Sequence, residues 1–317
     1  MSAPQISAWS APGKLMLFGE YAVLEGHPAV ALCMNARIRC TAVPGGGQVH
    51  FDAPSLLGDR GPIATDVLAS PPDPALELLW PLITEAYLAF DGIALRFDAE
   101  FPHTWGLGSS SASSLAAIAA VWTLLDRDRV PESLFATVRR FQRRIQGAAS
   151  GYDAATQLLG GAVRFVGGDT PQMERIEGPR LPWIVAYTGV KASTGDMIRA
   201  VRARHPVGSP IYARIGKLAE AGADLLAQGD RALLGEGMNV GHELLADLGA
   251  VPDELDDRIR ALQRDPWVHG ARMSGAGGGD CVLILARDIA GASRAARAQG
   301  FEVLPLSFEE QGLREES

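Results

Sequence analysis

The chain is poor in cysteine and in positive charge. Its three cysteines, Cys33, Cys40 and Cys281, stand at unrelated spacings. That excludes a disulfide framework and a cysteine metal set, and suits a reducing compartment. A formal net charge of −8 argues against broad nucleic-acid binding and leaves room only for a local basic patch around an anionic substrate. No apolar run reaches the ~18 residues of a membrane span, and the first residues lack a basic region followed by an apolar core. The expectation is a soluble cytoplasmic protein that engages no membrane. Internal repeats are absent. So are two nucleotide signatures, G-x-x-x-x-G-K-[ST] and the protein-kinase G-x-G-x-x-G with its partner motifs.

With 317 residues, 47% of them hydrophobic, the chain can build a sizeable core, and two packed lobes are the natural reading. The polar, proline-containing segment 167–180 is the candidate boundary, giving domains 1–168 and 169–317. Strands are expected at 6–11 and 15–18, separated by a Pro12-Gly13 turn. A buried run at 29–33 follows, then a hairpin of 37–43 and 49–52 with its tip at Gly45–Gly47. Residues 54–75 read as an irregular loop. Helical spacing covers 75–90, where Pro81 allows a kink or a later start. A strand at 93–101 comes next, then helices at 110–125 and 131–146. The arginines of the second helix (Arg139, Arg140, Arg143 and Arg144) read as a solvated face. A helix near Asp153 and a strand after Gly160-Gly161 close the first half. The second half reads as a strand at 183–187 and helices entering at 194 and spanning 209–228, 230–248 and 253–264. Strands at 268–273 and 281–286, a helix at 291–299, a strand at 301–306 and a loose acidic tail complete it. Strands and helices mix without strict alternation, which favours α+β with antiparallel sheets. His27 and His242 read as structural.

The stretch W-G-L-G-S-S-S-A-S-S, Trp105 to Ser114, organises the chain. Glycines let a ligand approach the backbone, and Ser109, Ser110 or Ser111 can cap the helix that follows. A glycine turn feeding a helix start presents unpaired N–H groups and a positive dipole end, which is an anion site and suits phosphate. The plain alternative is a Gly/Ser turn before an ordinary helix. Phosphoryl transfer needs a phosphate cradle, a cation with its ligands, and a group that orients or deprotonates the acceptor. Lys14, after a turn, and Asp153, at a helix start, are candidates for the remaining parts. Each taken alone reads as structural before it reads as catalytic.

Three segments taken together carry a resemblance. They are A-P-G-K-L-x-L-x-G-E-Y-A-V at the N-terminal end, G-L-G-S-S-S-A-S in the middle and S-G-A-G-G-G-D-C near the C-terminal end, with S-G-Y-D between the last two. In residues and order they resemble the signature motifs of the GHMP kinases, which include galactokinase, homoserine kinase, mevalonate kinase and phosphomevalonate kinase. The resemblance implies a two-lobed α+β fold, with a ribosomal protein S5 domain 2-like N-terminal lobe and a ferredoxin-like C-terminal lobe. It implies ATP and Mg²⁺ as cofactors and a small-molecule substrate in the interlobe cleft of a monomer or homodimer. Gly106, Leu107, Gly108, Ser109, Ser110 and Ser111 would wrap the ATP phosphates, with Gly277 shaping the cleft from the other lobe. Ser110 or Ser111 would help hold the metal. Lys14 and Asp153 match the catalytic lysine and aspartate. Substrate contacts would come from Lys14, Glu20, Tyr21, Ser150, Gly151 and Ser274.

Within the family, Gly19-Glu20-Tyr21 departs from the G-E-H usual in mevalonate kinases. Gln142 stands where those enzymes often carry a metal-binding glutamate, and the third motif reads S-G-A-G-G-G-D-C rather than T-G-A-G-G-G-G-C. These departures, and Y-T-G-V-K-A-S-T at 187–194, are similar to phosphomevalonate kinase. Lys191, Ser193, Thr194 and Arg199, with Arg272 as a further candidate, would suit the phosphate of 5-phosphomevalonate. Against this, M-N-x-x-H-E-L-L-x-x-L-G at 238–249 resembles mevalonate kinases. The expected product is mevalonate 5-diphosphate, with mevalonate phosphorylation as the alternative.

Overall fold

The structure is a computed structural model and describes residues 5–54, 63–65, 71, 77, 79–146, 150–191 and 193–317. In chain order the strands are β1 (Ser7–Phe18), β2 (Pro28–Pro44), β3 (Val49–Asp52), β4 (Ile63–Thr65), β5 (Ile93–Ala99), β6 (Ala162–Val166), β7 (Gln172–Ile176), β8 (Trp183–Tyr187), β9 (Val268–Met273), β10 (Cys281–Ala286), β11 (Glu302–Val303) and β12 (Arg314–Glu315). The helices are α1 (Trp80–Phe90), α2 (Ser109–Leu124), α3 (Pro131–Gln146), α4 (Tyr152–Leu159), α5 (Thr194–Arg204), α6 (Pro210–Gln228), α7 (Arg231–Asp247), α8 (Asp253–Gln263) and α9 (Ile289–Ala298). No helix among the described residues is long and apolar enough to cross a membrane.

Two sheets carry the fold. The larger runs β12-β1-β2-β5-β3-β4, and β6 pairs with β2 and β7 with β6. Strand β2 is long enough to pair β6 along Pro28–Leu32 and β5 along Ile38–Pro44, while β1 covers its other edge. The smaller sheet is antiparallel in the order β11-β8-β10-β9. Its two faces alternate residue by residue, as strand geometry requires. Trp183, Val185, Leu283 and Leu285 join the core of the larger sheet. Ile184, Ala186, Val282 and Ile284 join a second core with α6 to α9. The α+β reading, with two sheets and two cores, holds.

Helix α2 is buried on nearly every side, from Ala112 through Val121. Its small residues, Ala116, Ala117, Ala119 and Ala120, allow close approach to β1 and β2. This fixes the Gly/Ser mouth of the helix against the middle of β1, at Gly13 and Lys14.

Several local expectations change. Pro12-Gly13 is a bulge within one continuous strand, where the β1–β2 register shifts, and not a turn. The runs 29–33 and 37–43 are likewise one strand, β2. Strand β3 does not return along β2. The glycine tip bonds to the segment before β5 instead (Gly45 N to Gly92 O, Gly47 N to Asp91 O), and β5 inserts between β2 and β3, pairing parallel to β3. Helix α1 begins at Trp80 with Pro81 in its first turn, where the missing proline N–H is harmless. The earlier part of the expected helix, and most of the expected loop at 54–75, lie outside the described residues.

The candidate boundary segment contains β7, which belongs to the larger sheet. The tail is not loose: β12 pairs with β1 at Trp9 and Ser10, and Glu316 N bonds to Ala8 O. Arg139 is buried and donates to Gly168 O at 2.7 Å, whereas Arg140, Arg143 and Arg144 are exposed as expected of a solvated face.

Candidate functional site

Strand β1 delivers Lys14, and its far end leads into Glu20 and Tyr21. These residues, the mouth of α2, the start of α4 and the loop between β9 and β10 enclose a pocket of about 280 Å³. Its lining includes Lys14, Glu20, Tyr21, Gly106, Gly108, Ser109, Ser110, Ser150, Gly151, Asp153, Lys191, Thr194 and Ser274. Residues from five separate stretches of the sequence therefore meet around one space.

At the centre, Lys14 Nζ stands 3.0 Å from Asp153 Oδ1 and 3.1 Å from the Tyr152 hydroxyl. Burial presses the Lys14 amine toward its neutral form. The Asp153 carboxylate and Tyr152 outweigh that and hold its pKa above the ordinary lysine value, so it is a buried ammonium. Burial pushes the Tyr152 phenol up, so it stays protonated. The Cys281 thiol is also pushed up by burial and is no nucleophile.

The Gly/Ser mouth differs from the sequence expectation in one respect. Helix α2 begins at Ser109 with Gly108 as its N-cap, and no side chain caps it. Gly108 holds φ 74, and a Cβ there would meet Lys14 Cε at 2.7 Å. A left-handed residue with a lysine against it can only be glycine without strain. The uncapped first turn keeps the orphan N–H groups available to an anion. Ser111 turns away from the pocket: it is buried, and its Oγ donates to Gly108 O and to Gln157 Oε1. Of the two serines expected to face a metal, Ser110 lines the pocket and Ser111 does not. Helix α4 is also capped by a left-handed glycine, Gly151 (φ 97), rather than by Asp153, so the Asp153 carboxylate is not used as a cap.

The opposite wall comes from the third glycine loop. Ser274 Oγ donates to Met16 O, Gly275 N donates to Glu20 Oε1, and the Tyr21 hydroxyl donates to Ala276 O. Glu20 Oε2 pairs with Arg272 Nη2 at 2.6 Å. Burial pushes the Glu20 pKa up, and Arg272 pulls it back. Arg272 therefore serves the wall and does not enter the pocket, contrary to its reading as a phosphate contact. Gly277 lies against Ala250 O, and Leu107 is buried with its carbonyl accepting from Lys14 N, so both shape the walls from behind.

The cluster expected around a second phosphate comes together only in part. Lys191 and Thr194 line the pocket, and Lys191 Nζ is 3.6 Å from Asp280 Oδ1. Ser193 caps α5 through Asp196 N, and Arg199 pairs with Asp196 on the exposed side of that helix. His242 is structural as expected: it is buried, with Nε2 3.1 Å from Asp256 Oδ1.

Sequence reasoning passed over Tyr152, Gln157 and the partnership of Glu20 with Arg272. For Gln157 a signal was available, because it stands one helical turn after Asp153 on the same face. For the other pair none was, since 251 residues lie between them.

Residues 75–161 match the family described as GHMP kinases N terminal domain, and residues 223–300 match GHMP kinases C terminal. The chain is similar to the mevalonate kinase of Pyrococcus abyssi, at 30% identity over 98% of this chain and 98% of that protein. Among solved structures, the Lin0012 protein of Listeria innocua matches with a TM-score of 0.85 at 20% identity, over 99% of this chain and 100% of that one. Phosphomevalonate kinase of Streptococcus pneumoniae, in complex with phosphomevalonate and AMPPNP, matches with a TM-score of 0.79 at 19% identity, over 95% and 99%. At these identities the structural matches establish the fold.

Proposed function

The chain belongs to the GHMP kinases, and from that premise we propose that it transfers the γ-phosphoryl group of ATP to the hydroxyl of mevalonate, giving 5-phosphomevalonate. The observation that carries the choice of acceptor is the charge of the pocket. Among the described residues its lining holds two ammonium groups, Lys14 and Lys191, and each is already paired with a carboxylate. The guanidinium groups expected to grip an acceptor phosphate, Arg199 and Arg272, are committed elsewhere. An acceptor that brings its own phosphate next to a triphosphate calls for more unpaired cations than that. The similarity to a protein named mevalonate kinase over nearly the full length supports the same choice.

In this reading the donor phosphates rest on the uncapped N–H groups at the mouth of α2, and the acceptor hydroxyl lies between Lys14 and Asp153. Asp153 takes the hydroxyl proton as the oxygen attacks phosphorus and ADP leaves. Lys14 offsets charge developing on the transferring group. The donor set also fits Mg²⁺. Asp153 Oδ1 is shut away from water with the Lys14 ammonium 3.0 Å away as its partner, and Ser110, which lines the same pocket, would add a hydroxyl. No cluster of three acidic, histidine or cysteine side chains exists among the described residues to hold a metal unaided. That suits an ion carried in largely by phosphate oxygens and water. Bound there, Mg²⁺ would supply charge neutralisation at the phosphates.

A second reading, 5-phosphomevalonate as acceptor, is favoured by Lys191 and Thr194 standing together at the pocket. ADP release measured with mevalonate and with 5-phosphomevalonate decides between them. Turnover of mevalonate is expected. Turnover of 5-phosphomevalonate alone replaces the first reading with the second, and turnover of neither overturns both.

A further inference from the structure

Gln157 lies on α4, one turn beyond Asp153, and is fully buried. Its Nε2 donates to Gly108 O at 3.0 Å and to Leu107 O at 3.4 Å. Its Oε1 accepts from Ser111 Oγ. Every polar group of this side chain is therefore spent on the Gly/Ser loop, from behind. On the same loop Lys14 N donates to Leu107 O at 3.0 Å, and Ala112 N to Gly108 O at 3.0 Å.

From this arrangement we infer that Gln157 is a positioning residue, which locks the donor-phosphate loop at a set distance from Asp153 on the acceptor side. The inference rests on reading Gly106–Ser110 as the donor loop. One short helix then carries both the group that meets the acceptor and, at the next turn, the group that holds the donor cradle. Transfer needs the two substrates aligned in line, and a misplacement of about 1 Å costs on the order of 100-fold in rate. The residue type follows from its partners. Two backbone carbonyls need donors and one hydroxyl needs an acceptor, and an amide supplies both. A carboxylate would face two carbonyls with no proton, and an apolar side chain would leave buried carbonyls with fewer partners.

The test compares Gln157→Met, Ser111→Ala and the double variant with the parent. The readouts are steady-state ADP release, AMPPNP affinity by calorimetry, and amide hydrogen exchange at Lys14 and Ala112, whose N–H groups bond to the loop carbonyls. Gln157→Met is expected to lower kcat about 10- to 100-fold, with AMPPNP affinity within about threefold and exchange at the two amides at least about tenfold faster. Because the two side chains act through one network, the double variant should be no slower than Gln157→Met alone. A kcat within twofold of the parent overturns the inference. So does full additivity of the two changes, or a kcat loss wholly matched by lost AMPPNP affinity. Should Gln157→Met fail to fold, Ser111→Ala decides: unchanged kcat and exchange overturn the inference, and a loss in both supports it. Should the parent bind AMPPNP but turn over neither acceptor, the proposed function fails by itself. The exchange measurement then judges Gln157, and unchanged rates overturn it.

Discussion

Arg272 Nη2 stands 2.6 Å from Glu20 Oε2, and both side chains are almost completely closed to solvent. The same guanidinium donates to Leu17 O and Met273 O, and Glu20 in turn accepts from Gly275 N. This pair ties the end of β1 to the third glycine loop and so fixes one wall of the pocket. A buried ion pair adds little net stability, but breaking one leaves a charge with no partner. Arg272→Met is expected to cost about 3–5 kcal/mol. The Arg272→Met/Glu20→Gln double variant should recover much of that. Urea midpoints of the two proteins check it, and equal midpoints would show that the pairing does not hold Glu20.

Asp153→Asn keeps the shape of the side chain and removes its ability to take a proton. It is expected to lower kcat by about 10²- to 10⁴-fold while AMPPNP affinity stays within about threefold. Lys14→Met should also lower kcat. A variant retaining parental kcat at Asp153 would remove this residue from the chemistry.

Gly108→Ala puts a side chain on a backbone at φ 74, against Lys14 Cε. Gly46, in the loop before β3, also has a left-handed φ (96), but a Cβ there meets nothing within 4 Å. Both alanine variants should lose about 1–3 kcal/mol to backbone strain. Only Gly108→Ala should also raise KM for ATP. Thermal unfolding and initial-rate kinetics on the two proteins separate strain from displacement of the loop.

His242 is buried, and its pKa is pushed down to about 4, first by burial and then by Arg272, with Asp256 pulling the other way and Arg260 adding to the fall. Its folded pKa lies below its unfolded value of about 6.5, so the unfolded chain binds the extra proton between these limits. Stability from this residue is therefore complete above about pH 6.5 and is lost as pH falls toward 4, by up to about 3 kcal/mol. Chemical unfolding of the parent and of His242→Gln across that range tests it. The variant should lose this part of the pH dependence.

The Gly/Ser loop, the lysine and the aspartate that meet at the pocket were legible because each is written locally. Glycines mark where the backbone must take left-handed angles, as Gly106, Gly108 and Gly151 do, and periodic apolar residues mark the helices behind them. Long-range pairing was not legible. The tip Gly45–Gly47 looks like an ordinary hairpin until β5 is seen between β2 and β3, and nothing near residues 314–315 announces a partner at Trp9. Arg272 fits a phosphate contact by type, but its placement beside Glu20 is a tertiary fact, whereas Arg199 meets Asp196 three residues earlier on its own helix, a local pairing the sequence already offered.

The sequence by itself determined the family, the mixed α and β architecture and the three motif segments that meet at the pocket, because turn geometry, helix starts and side-chain type are properties of short stretches. Only the tertiary structure decided which charges meet. Lys14 faces Asp153 across 138 intervening residues, Ser111 turns inward to Gln157, and Arg272 holds the wall instead of the substrate. A cation's role is set by the nearest opposite charge and by its exclusion from water, and neither is fixed until distant segments have packed together.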